Sequence, residues 1–393
     1  MGIVTKRKKF KIELDKFIAD FPELFPDGIE NGYRCKDIRY SKKSQISMRR
    51  ITVGLVSYTV RPSFVMPYHT AFANEAENVL FLRKFNVPFW ALAYVFGRDS
   101  MHWYRMEQSI GKNSIVGSTV KDPDLLPDHV AADEKHSKLQ GEKIYIPTVV
   151  GEQRILGVSV SANAGEEGLT EAYSKFRDEA KDIKPEYNPK SVNTDGWKAT
   201  MNAWGSLFPG ILVICCFLHV FIKIRDRSRK KFTDCFEATA DRLWKCYKAT
   251  SKASFSQKVR RLYEWVRSKE APNVILNPIK KLKENLQKYS KAYDLPGCHR
   301  TSNMVDRLMQ KMDRHLFATF YFHGSLEAAE LSIRGWALIH NFAPCNPTTV
   351  KRHDGWKSPA EWLNKRRYHE SWLQNLLTSA SMGGFKHMPP NPL

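Results

Sequence analysis

The sequence has no long hydrophobic run, no regular cysteine spacing and no excess of acidic residues. Its longest unbroken apolar stretch, residues 211–218, is eight residues long, whereas a membrane-spanning helix needs about 20. The basic start of the chain is not followed by an apolar stretch, so we expect no secretory signal. The seven cysteines are expected to be free thiols in a reducing compartment. We therefore predict a soluble, cytoplasmic protein that does not contact a membrane.

The sequence also lacks the motifs of several large protein classes. It contains no glycine-rich phosphate-binding loop and no Ser/His nucleophile arrangement. No internal repeat is visible, which excludes solenoid architectures. Hydrophobic residues make up 42% of the 393 positions, enough to build folded cores, so wholesale disorder is excluded and two or three domains are expected.

Positive charge is the strongest compositional feature. Lys and Arg number 62 against 41 Asp and Glu, which gives a net charge of +21, and such a surplus favours nucleic acid as the partner. Residues 221–300 hold 21 Lys and Arg against 8 Asp and Glu. We interpret this stretch as a basic helical insertion that contacts the DNA backbone; the alternative is an ordinary solvated face. The candidate DNA contacts in it are Arg225, Arg227, Arg229, Lys230 and Lys231.

The chain ahead of residue 121 divides into two stretches. We interpret residues 1–73 as a basic, partly ordered leader, because two prolines interrupt any long element near its start. Residues 74–120 show apolar residues at helical spacing, with two short helices joined by a turn that contains Gly97. This pattern is typical of a helix-turn-helix DNA-binding region, and an ordinary helical hairpin is the alternative. The second helix would carry His102, Arg105 and Gln108 on one side, with Arg105 as a candidate DNA contact.

After a predicted linker at residues 110–128, the pattern changes to that of strands. Three β-like segments begin at His129, Lys143 and Arg154, separated by turns that contain glycine. A helix, a short strand, a second helix and the apolar run 211–218 follow, and we interpret that run as a buried strand. This order predicts an α/β protein in which helices flank the sheet, ending in an irregular tail over residues 343–393.

Two aspartates stand at strand positions that suggest metal chemistry. Asp133 lies inside the first apolar strand, where an unpaired carboxylate is costly. Asp195 follows the short strand, just before Gly196, where a side chain projects from a sheet edge. Carboxylates on neighbouring strand ends hold Mg²⁺ well, and two such ions catalyse phosphodiester cleavage.

Several motifs beyond the first strand resemble the Mutator-like DDE transposases of bacterial insertion sequences. Asp195-Gly196 is followed by an FPG turn at residues 208–210 and by Cys216-x-x-His219, at that family's usual spacing. The Thr-x-Asn-x-x-acid pattern at residues 301–306 resembles the family's Thr-x-Asn-x-x-Glu, which places Asp306 where the family has Glu. The strand hairpin around Asp133 is similar to the first-aspartate hairpin of related transposases. The resemblance covers residues 129–340, about half of the chain.

The resemblance implies a fold, a site and a reaction. It implies a ribonuclease H-like mixed sheet flanked by helices, over residues 129–220 and 301–342, with the basic insertion between them. Asp133, Asp195 and Asp306 would be the catalytic acids and would hold two Mg²⁺ ions, with Mn²⁺ as a substitute. Cys216 and His219 would lie on a buried strand as a family signature. The partners would be double-stranded DNA, as element ends and target, and further copies of the chain in a synaptic homo-oligomer associated with the nucleoid.

Several alternatives stay open at this stage. Because Asp306 is one methylene shorter than the family's Glu, the third acid could instead be Glu327 or Glu330. Cys215, Cys216 and His219 could form a zinc site with Cys298 and His299. The function could also be that of a catalytically inactive relative that binds specific DNA sequences, or of a nuclease that cuts without joining.

Overall fold

The computed structural model describes residues 4–42, 44–67, 69 and 71–385. Within these residues, buried apolar side chains form four clusters. One cluster lies in the first 60 residues, one lies between residues 217 and 293, and two lie on opposite faces of a central sheet. No helix in the described part of the chain is long and apolar enough to cross a membrane.

The N-terminal segment is more regular than the partly ordered leader that we predicted for residues 1–73. Helix α1 (Arg7–Asp20) packs on an antiparallel sheet of three strands, β1 (Arg34–Ser41), β2 (Ile46–Val53) and β3 (Val56–Val60). Charged residues on the exposed face of these short strands hide the apolar alternation by which strands are recognised. The segment therefore has its own small core, formed by Phe10, Leu14, Ile29, Ile51 and Val53.

The four helices that follow belong to the main body of the protein. They are α2 (Ala73–Arg83), α3 (Phe89–Phe96), α4 (Ser100–Ile110) and α5 (Ile115–Thr119). Buried residues of all four lie in the same apolar cluster as one face of the central sheet: Leu80, Leu92, Met106 and Ile115. The helices are thus packed on the sheet-bearing core.

The linker prediction for residues 110–128 is wrong in its first half. All five residues of α5 are buried, between the central sheet and the C-terminal part of the chain. The Gly, Ser and Thr residues that suggest a linker instead allow close packing. A side chain at Gly117 would clash with the backbone of Gly384.

The central sheet has five strands in the order β6–β5–β4–β7–β8. Antiparallel pairs join β4 (His129–Leu139), β5 (Glu142–Gly151) and β6 (Arg154–Val158), whereas β7 (Ser191–Thr194) and β8 (Leu212–Cys215) run parallel to β4. The predicted succession of strands along the chain is confirmed, except that the last strand is shorter than the run 211–218.

Helices cover both faces of this sheet. Helices α6 (Glu166–Ile183) and α7 (Lys198–Leu207) lie on one face, at the positions that the sequence predicted. The other face is covered by helices α13 (Asn303–Ala318) and α14 (Leu326–Phe342). The predicted α/β class, a mixed sheet flanked by helices, is confirmed, and the strand order is compatible with a ribonuclease H-like fold.

Between β8 and α13, the chain forms a helical unit with its own core. Its helices are α8 (Phe217–Ser228), α9 (Thr233–Tyr247), α10 (Lys252–Ser268), α11 (Asn273–Glu284) and α12 (Leu286–Ser290). The helical character predicted for residues 221–300 is confirmed. Helix α11 continues through Pro278, held by the buried Ile275, Ile279 and Leu282 of its apolar face.

The tail is more ordered than the irregular packing predicted for residues 343–393. It forms α15 (Pro347–Arg352), α16 (Pro359–Asn364) and α17 (Trp372–Ser379), and the predicted tail beyond residue 385 lies outside the described residues. Each of these helices begins at an Asn or Ser whose side chain accepts a backbone N–H, and two have proline in the first turn. Short helices with proline look like loops in a sequence, although their caps define them well.

Candidate active site

The pairing of parallel strands places Asp133 beside Asp195. Strand β4 pairs with β7 so that Ala131 lies opposite Asn193. Two residues further in the direction of each strand, Asp133 lies opposite Asp195, which directly follows the end of β7. Neighbouring strands are about 4.8 Å apart, so the two carboxylates lie at the same level of the sheet.

Alternation along β4 separates two adjacent acids. Ala131 packs in the cluster beneath α13 and α14, whereas Val130 and Ala132 pack against α6 and α7. Because successive side chains of a strand point to opposite faces, Asp133 faces α13. Glu134 faces α6 and α7, where its contacts lie.

Helix α13 brings Asp306 to the face that carries Asp133. Asp306 lies in the first turn of this helix. Further along, Lys135 of β4 forms an ion pair with Asp313 of α13, with Nζ and Oδ1 2.6 Å apart. Since Lys135 is two residues from Asp133 and Asp313 is two helical turns from Asp306, this pair fixes the register of α13 along β4.

Asp133, Asp306 and His219 form a compact group of metal-ligand type. One oxygen or nitrogen atom from each lies within 4.8 Å of the other two, and all three side chains are half-buried. Among residues 4–42, 44–67, 69 and 71–385, no other three His, Cys, Asp or Glu side chains meet in this way. Asp195 is not a member of the group; its Oδ1 accepts a hydrogen bond from the Trp197 N–H at 2.7 Å.

The Cys-x-x-His motif begins a helix, which corrects the expectation that it lies on a buried strand. Strand β8 ends at Cys215, Cys216 is the N-terminal cap residue of α8, and His219 lies in the first turn. An apolar run of eight residues fits a strand or a helix equally well, and periodicity alone does not separate them. The turn into α8 brings His219 to the two aspartates.

Burial and charge shift the titration of this group. Burial and then the charge of Asp195 raise the pKa of Asp133 to about 6, and burial also raises the pKa of Asp306. Interaction with the Cys216 side chain, assisted by attraction to Asp133 and Asp306, raises the pKa of His219 to about 9. At neutral pH a protonated imidazole therefore partly neutralises the acids around it.

Glu134 is a neighbouring acid that the sequence analysis did not single out. Its Oε1 accepts hydrogen bonds from the Tyr173 hydroxyl and from Thr200 Oγ1, each at 2.7 Å. Burial raises the pKa of Glu134 to about 7, although both hydrogen bonds act in the opposite direction. Two consecutive acids in an apolar strand are the sequence signal that could have identified it.

Ser302 links the Cys-x-x-His motif to the third aspartate. Its N–H donates to the Cys216 sulfur at 3.1 Å, and its hydroxyl, also 3.1 Å from that sulfur, donates to Asp306 Oδ2 at 3.1 Å. Ser302 is fully buried. No sequence pattern indicates this link, because Ser302 and Cys216 are 86 residues apart along the chain.

The structure places the two alternative third acids away from the group. Glu330 forms an ion pair with Lys175 of α6 and accepts a hydrogen bond from Ser159. Glu327 is exposed in the first turn of α14. Of the three acids considered, Asp306 is the one beside Asp133.

The alternative zinc site is not assembled. The Cys298 sulfur lies 3.2 Å from the Ser191 hydroxyl, whereas the Cys216 sulfur lies against Ser302. His299 offers its backbone carbonyl, not its ring, to the Asn193 side chain. In the described part of the chain, these residues do not form a common ligand group.

The candidate DNA contacts fall into two places. Helix α8 carries His219 near its start and leads, about 12 Å further on at 1.5 Å per residue, to the exposed side chains of Arg227, Arg229, Lys230 and Lys231. These four have no ion-pair partner among the residues that the structure describes, whereas Arg225 pairs with Asp226.

The second candidate helix, α4, packs one side on the core and borders a cleft with the other. Its buried side includes Trp103, Met106 and Ile110, and the Gln108 side chain donates to the Ala328 carbonyl of α14 at 3.0 Å. Arg105 is exposed at the edge of a cleft that Gln108 also lines. His102 does not line this cleft and packs on Trp103 instead.

Comparison with known proteins does not identify the chain. No protein-family model matches the sequence, and no curated protein matches it either. The site must therefore be interpreted from its chemistry. Three carboxylates and an imidazole offer the oxygen and nitrogen ligands that Mg²⁺ and Mn²⁺ accept.

Proposed function

We propose that the chain is a DDE-type transposase that cuts DNA and joins the liberated 3′-hydroxyl to target DNA. The observation that carries this proposal is the placement of Asp133, Asp195 and Asp306. They come from a central strand, the end of the neighbouring parallel strand and the first turn of a helix on the sheet. The five-strand order supports a ribonuclease H-like catalytic domain, interrupted by the helical unit that begins with α8.

The donor set fits divalent cations. Burial and the charge of Asp195 hold the pKa of Asp133 near 6, so a bound cation would relieve the repulsion between these acids. Asp133, Asp195 and Asp306 would hold two such ions. When bound, Mg²⁺ or Mn²⁺ lowers the pKa of an attacking water or hydroxyl and stabilises the leaving oxygen in phosphodiester chemistry.

The chain's own residues position and balance this site. His219, whose Nδ1 is buried without a hydrogen-bond partner in the described residues, offsets the charge of Asp133 and Asp306. Ser302 holds one oxygen of Asp306, and the ion pair between Lys135 and Asp313 holds its helix. These contacts keep the acids in place before DNA arrives, so that little reorganisation is needed during the reaction.

Positive charge supports DNA as the substrate. The exposed, unpaired cations lie at the C-terminal end of the helix that begins at the acids and in the turn that follows it, which suits a duplex whose backbone passes from the site to the helical unit. Neutralising phosphates in this way releases counterions and makes binding sensitive to salt. A reaction that brings two element ends together also implies a homo-oligomer.

The test is strand cleavage and joining with matched variants. Labelled DNA from the flanks of the chain's own gene is incubated with the full chain, a target plasmid, and Mg²⁺, Mn²⁺ or EDTA. We expect metal-dependent nicking and joined products, both lost in Asp195→Asn. The control Glu142→Gln, an exposed acid on strand β5, should keep both activities.

Each other outcome points to a different function. Nicking without joined products in any metal would support a nuclease of similar fold. Sequence-specific binding with no cleavage in any metal would support a catalytically inactive DNA-binding relative. Cleavage that Asp195→Asn leaves intact would contradict the assignment of this site.

A further inference from the structure

An aromatic cleft lies at the opposite end of α13 from Asp306. It has a volume of about 490 Å³ and is lined by α3, α4, the end of α13 and the loop that leads to α14. This volume is in the range of small-molecule pockets. Its aromatic lining includes Phe89, Trp90, Tyr104, Phe320 and Tyr321.

Two rings of this cleft are largely exposed, whereas Phe89 and Tyr104 pack edge to face on each other. Trp90 is 67% exposed and Phe320 is 75% exposed. Met101 also lines the cleft and is exposed, as are Tyr94, Val95, Phe96 and Phe317, which lie close to lining residues along the chain. Exposed apolar surface of this extent on a folded protein marks a binding surface.

The backbone holds two of these rings in an unfavourable conformation. Phe320 and Tyr321 have φ angles of +53° and +69° at the C-terminal turn of α13, where glycine or asparagine is usual. The loop is tied to the β4–β5 hairpin: the Phe322 N–H donates to the Lys138 carbonyl, and the Gln140 side chain donates to the Gly324 carbonyl. Strain retained in a fixed loop is typical of functional sites.

The charge of the cleft selects among possible occupants. Among the residues that the structure describes, Arg105 is the one charged residue in its lining, and no carboxylate lines it. Gln108, His323, Ser100 and Thr319 add polar groups between the rings. An occupant with a flat aromatic face and a negative charge fits this lining better than an apolar helix does, because stacking rings and a cation are combined.

The cleft is also close enough to the acids for one DNA strand to reach both. Asp306 and Phe317 are eleven residues apart on one helix, which corresponds to about 16 Å along its axis. A DNA strand held at the acids therefore needs to extend by only a few nucleotides to reach the rings. The loop also connects to β4, which carries Asp133.

We propose that this cleft binds a base unstacked from the DNA substrate, with the ring between Trp90 and Phe320 and the phosphate facing Arg105. The inference rests on the proposed function, since it takes DNA as the substrate. It adds a contact that recognises an unpaired base at a fixed distance from the cleavage site.

The test is equilibrium binding in EDTA, where no cleavage occurs. The probes are a 30-base-pair duplex, the same duplex with one unpaired 2-aminopurine, and free deoxyadenosine monophosphate. We expect the full chain to bind the bulged duplex about tenfold more tightly than the paired one, with quenching of 2-aminopurine fluorescence and negligible binding of the free nucleotide. Trp90→Ala and Phe320→Ala should each remove the preference and the quenching while leaving the affinity for paired duplex unchanged.

Tyr40→Ala, which removes another exposed ring, on β1, is the control and should behave as wild type. The inference is overturned if the wild-type chain shows no preference, or if the preference survives in both cleft variants. A monomer–dimer equilibrium that Trp90→Ala abolishes, without a base preference, would assign the cleft to a second copy of the chain. Because EDTA separates binding from cleavage, cleavage without base capture would retain the proposed function and remove only this inference.

Discussion

The two ends of α13 are built in opposite ways. At its N-terminal end, Asp306 is half-buried and hydrogen-bonded to Ser302, within 4.8 Å of ligand atoms on Asp133 and His219. At its C-terminal end, the rings of Phe317 and Phe320 are exposed by 73% and 75%. One helix thus connects a polar group of ligand-type side chains to an apolar, exposed cleft. We propose that the first end acts on charged atoms of the DNA and that the second end recognises a base.

The two ends also differ in what positions them. The polar end depends on residues from four separate segments, so a change in any one of them alters the group. The apolar end depends on a single short loop and two helices. We therefore expect substitutions at the polar end to change the reaction rate, and substitutions in the cleft to change the choice of DNA.

The sharpest test of this comparison is Asp306→Asn. Because a neutral amide neither offsets a divalent cation nor repels Asp133, we expect a loss of at least about 10³-fold in cleavage rate. Glu327→Gln and Glu330→Gln are the matched controls, since both acids lie on α14, away from the group. Rates measured at saturating DNA would contradict the assignment if a Glu variant, and not Asp306→Asn, lost activity.

A second test compares the basic residues at the end of α8 with the aromatic cleft by the response of DNA binding to salt. Replacing Arg227, Arg229, Lys230 and Lys231 together with Gln should weaken DNA binding about 10- to 100-fold at low salt. It should also reduce the slope of log affinity against log salt concentration by up to about 3.6, since each phosphate contact contributes about 0.9. Trp90→Ala should leave this slope unchanged, because stacking releases no counterions.

The control for the charge variant removes four charges from another helix, at Arg7, Lys8, Lys9 and Lys16 of α1. Both variants have the same net charge, so a difference between their slopes reports local contacts. If both variants had the same salt slope, the basic residues after α8 would affect DNA binding only through the net charge of the protein. They would then form an ordinary solvated face.

Much of the central sheet could be predicted from the sequence, because its signals are local. Strands β4, β5 and β6 show glycine-bearing turns between β-branched runs, and α6 shows a clear helical period. The position of Asp133 follows from β4, and that of Asp195 follows from the short strand β7. A parallel sheet brings the ends of neighbouring strands together whatever their separation in sequence.

The remaining features depend on contacts between distant segments. The link from Cys216 through Ser302 to Asp306 joins chain segments separated by a whole helical unit, which no periodicity reports. The boundary between β8 and α8 lies inside one apolar run, so hydrophobicity alone could not locate it. The helices around α4 have a local pattern that fits several folds, and only packing on α14 distinguishes them.

A third test uses pH to measure how much the ionised Asp133 carboxylate destabilises the folded protein. The pKa of Asp133 rises from 3.8 to about 6 on folding, so the folded state binds its proton more tightly than the unfolded state does. Protonation of Asp133 therefore contributes to the free energy of unfolding. This contribution is greatest below pH 4 and is lost as pH rises through 6. Asp133→Asn should therefore increase the unfolding free energy of the metal-free protein at pH 8 by about 1–3 kcal/mol, with no gain at pH 4.

Thermal unfolding in EDTA at both pH values measures this difference. Added Mg²⁺ should stabilise the wild type more than the variant, because the variant lacks a ligand. A variant that is less stable than wild type at pH 8 would show that Asp133 is held by favourable contacts instead of being strained.

The smallest expected effect tests whether the polar end is positioned by its neighbours. Ser302→Ala removes the hydroxyl that donates to Asp306 but leaves the backbone N–H that donates to Cys216. We expect a decrease of about 3- to 10-fold in kcat, an unchanged KM for DNA, and a higher apparent pKa in the acidic limb of the rate profile, since the carboxylate loses a donor. Ser302→Thr keeps the hydroxyl and should restore part of the rate. A changed KM with an unchanged pH profile would mean that Ser302 only supports the fold, and the contrast between the two ends of α13 would then rest on the acids alone.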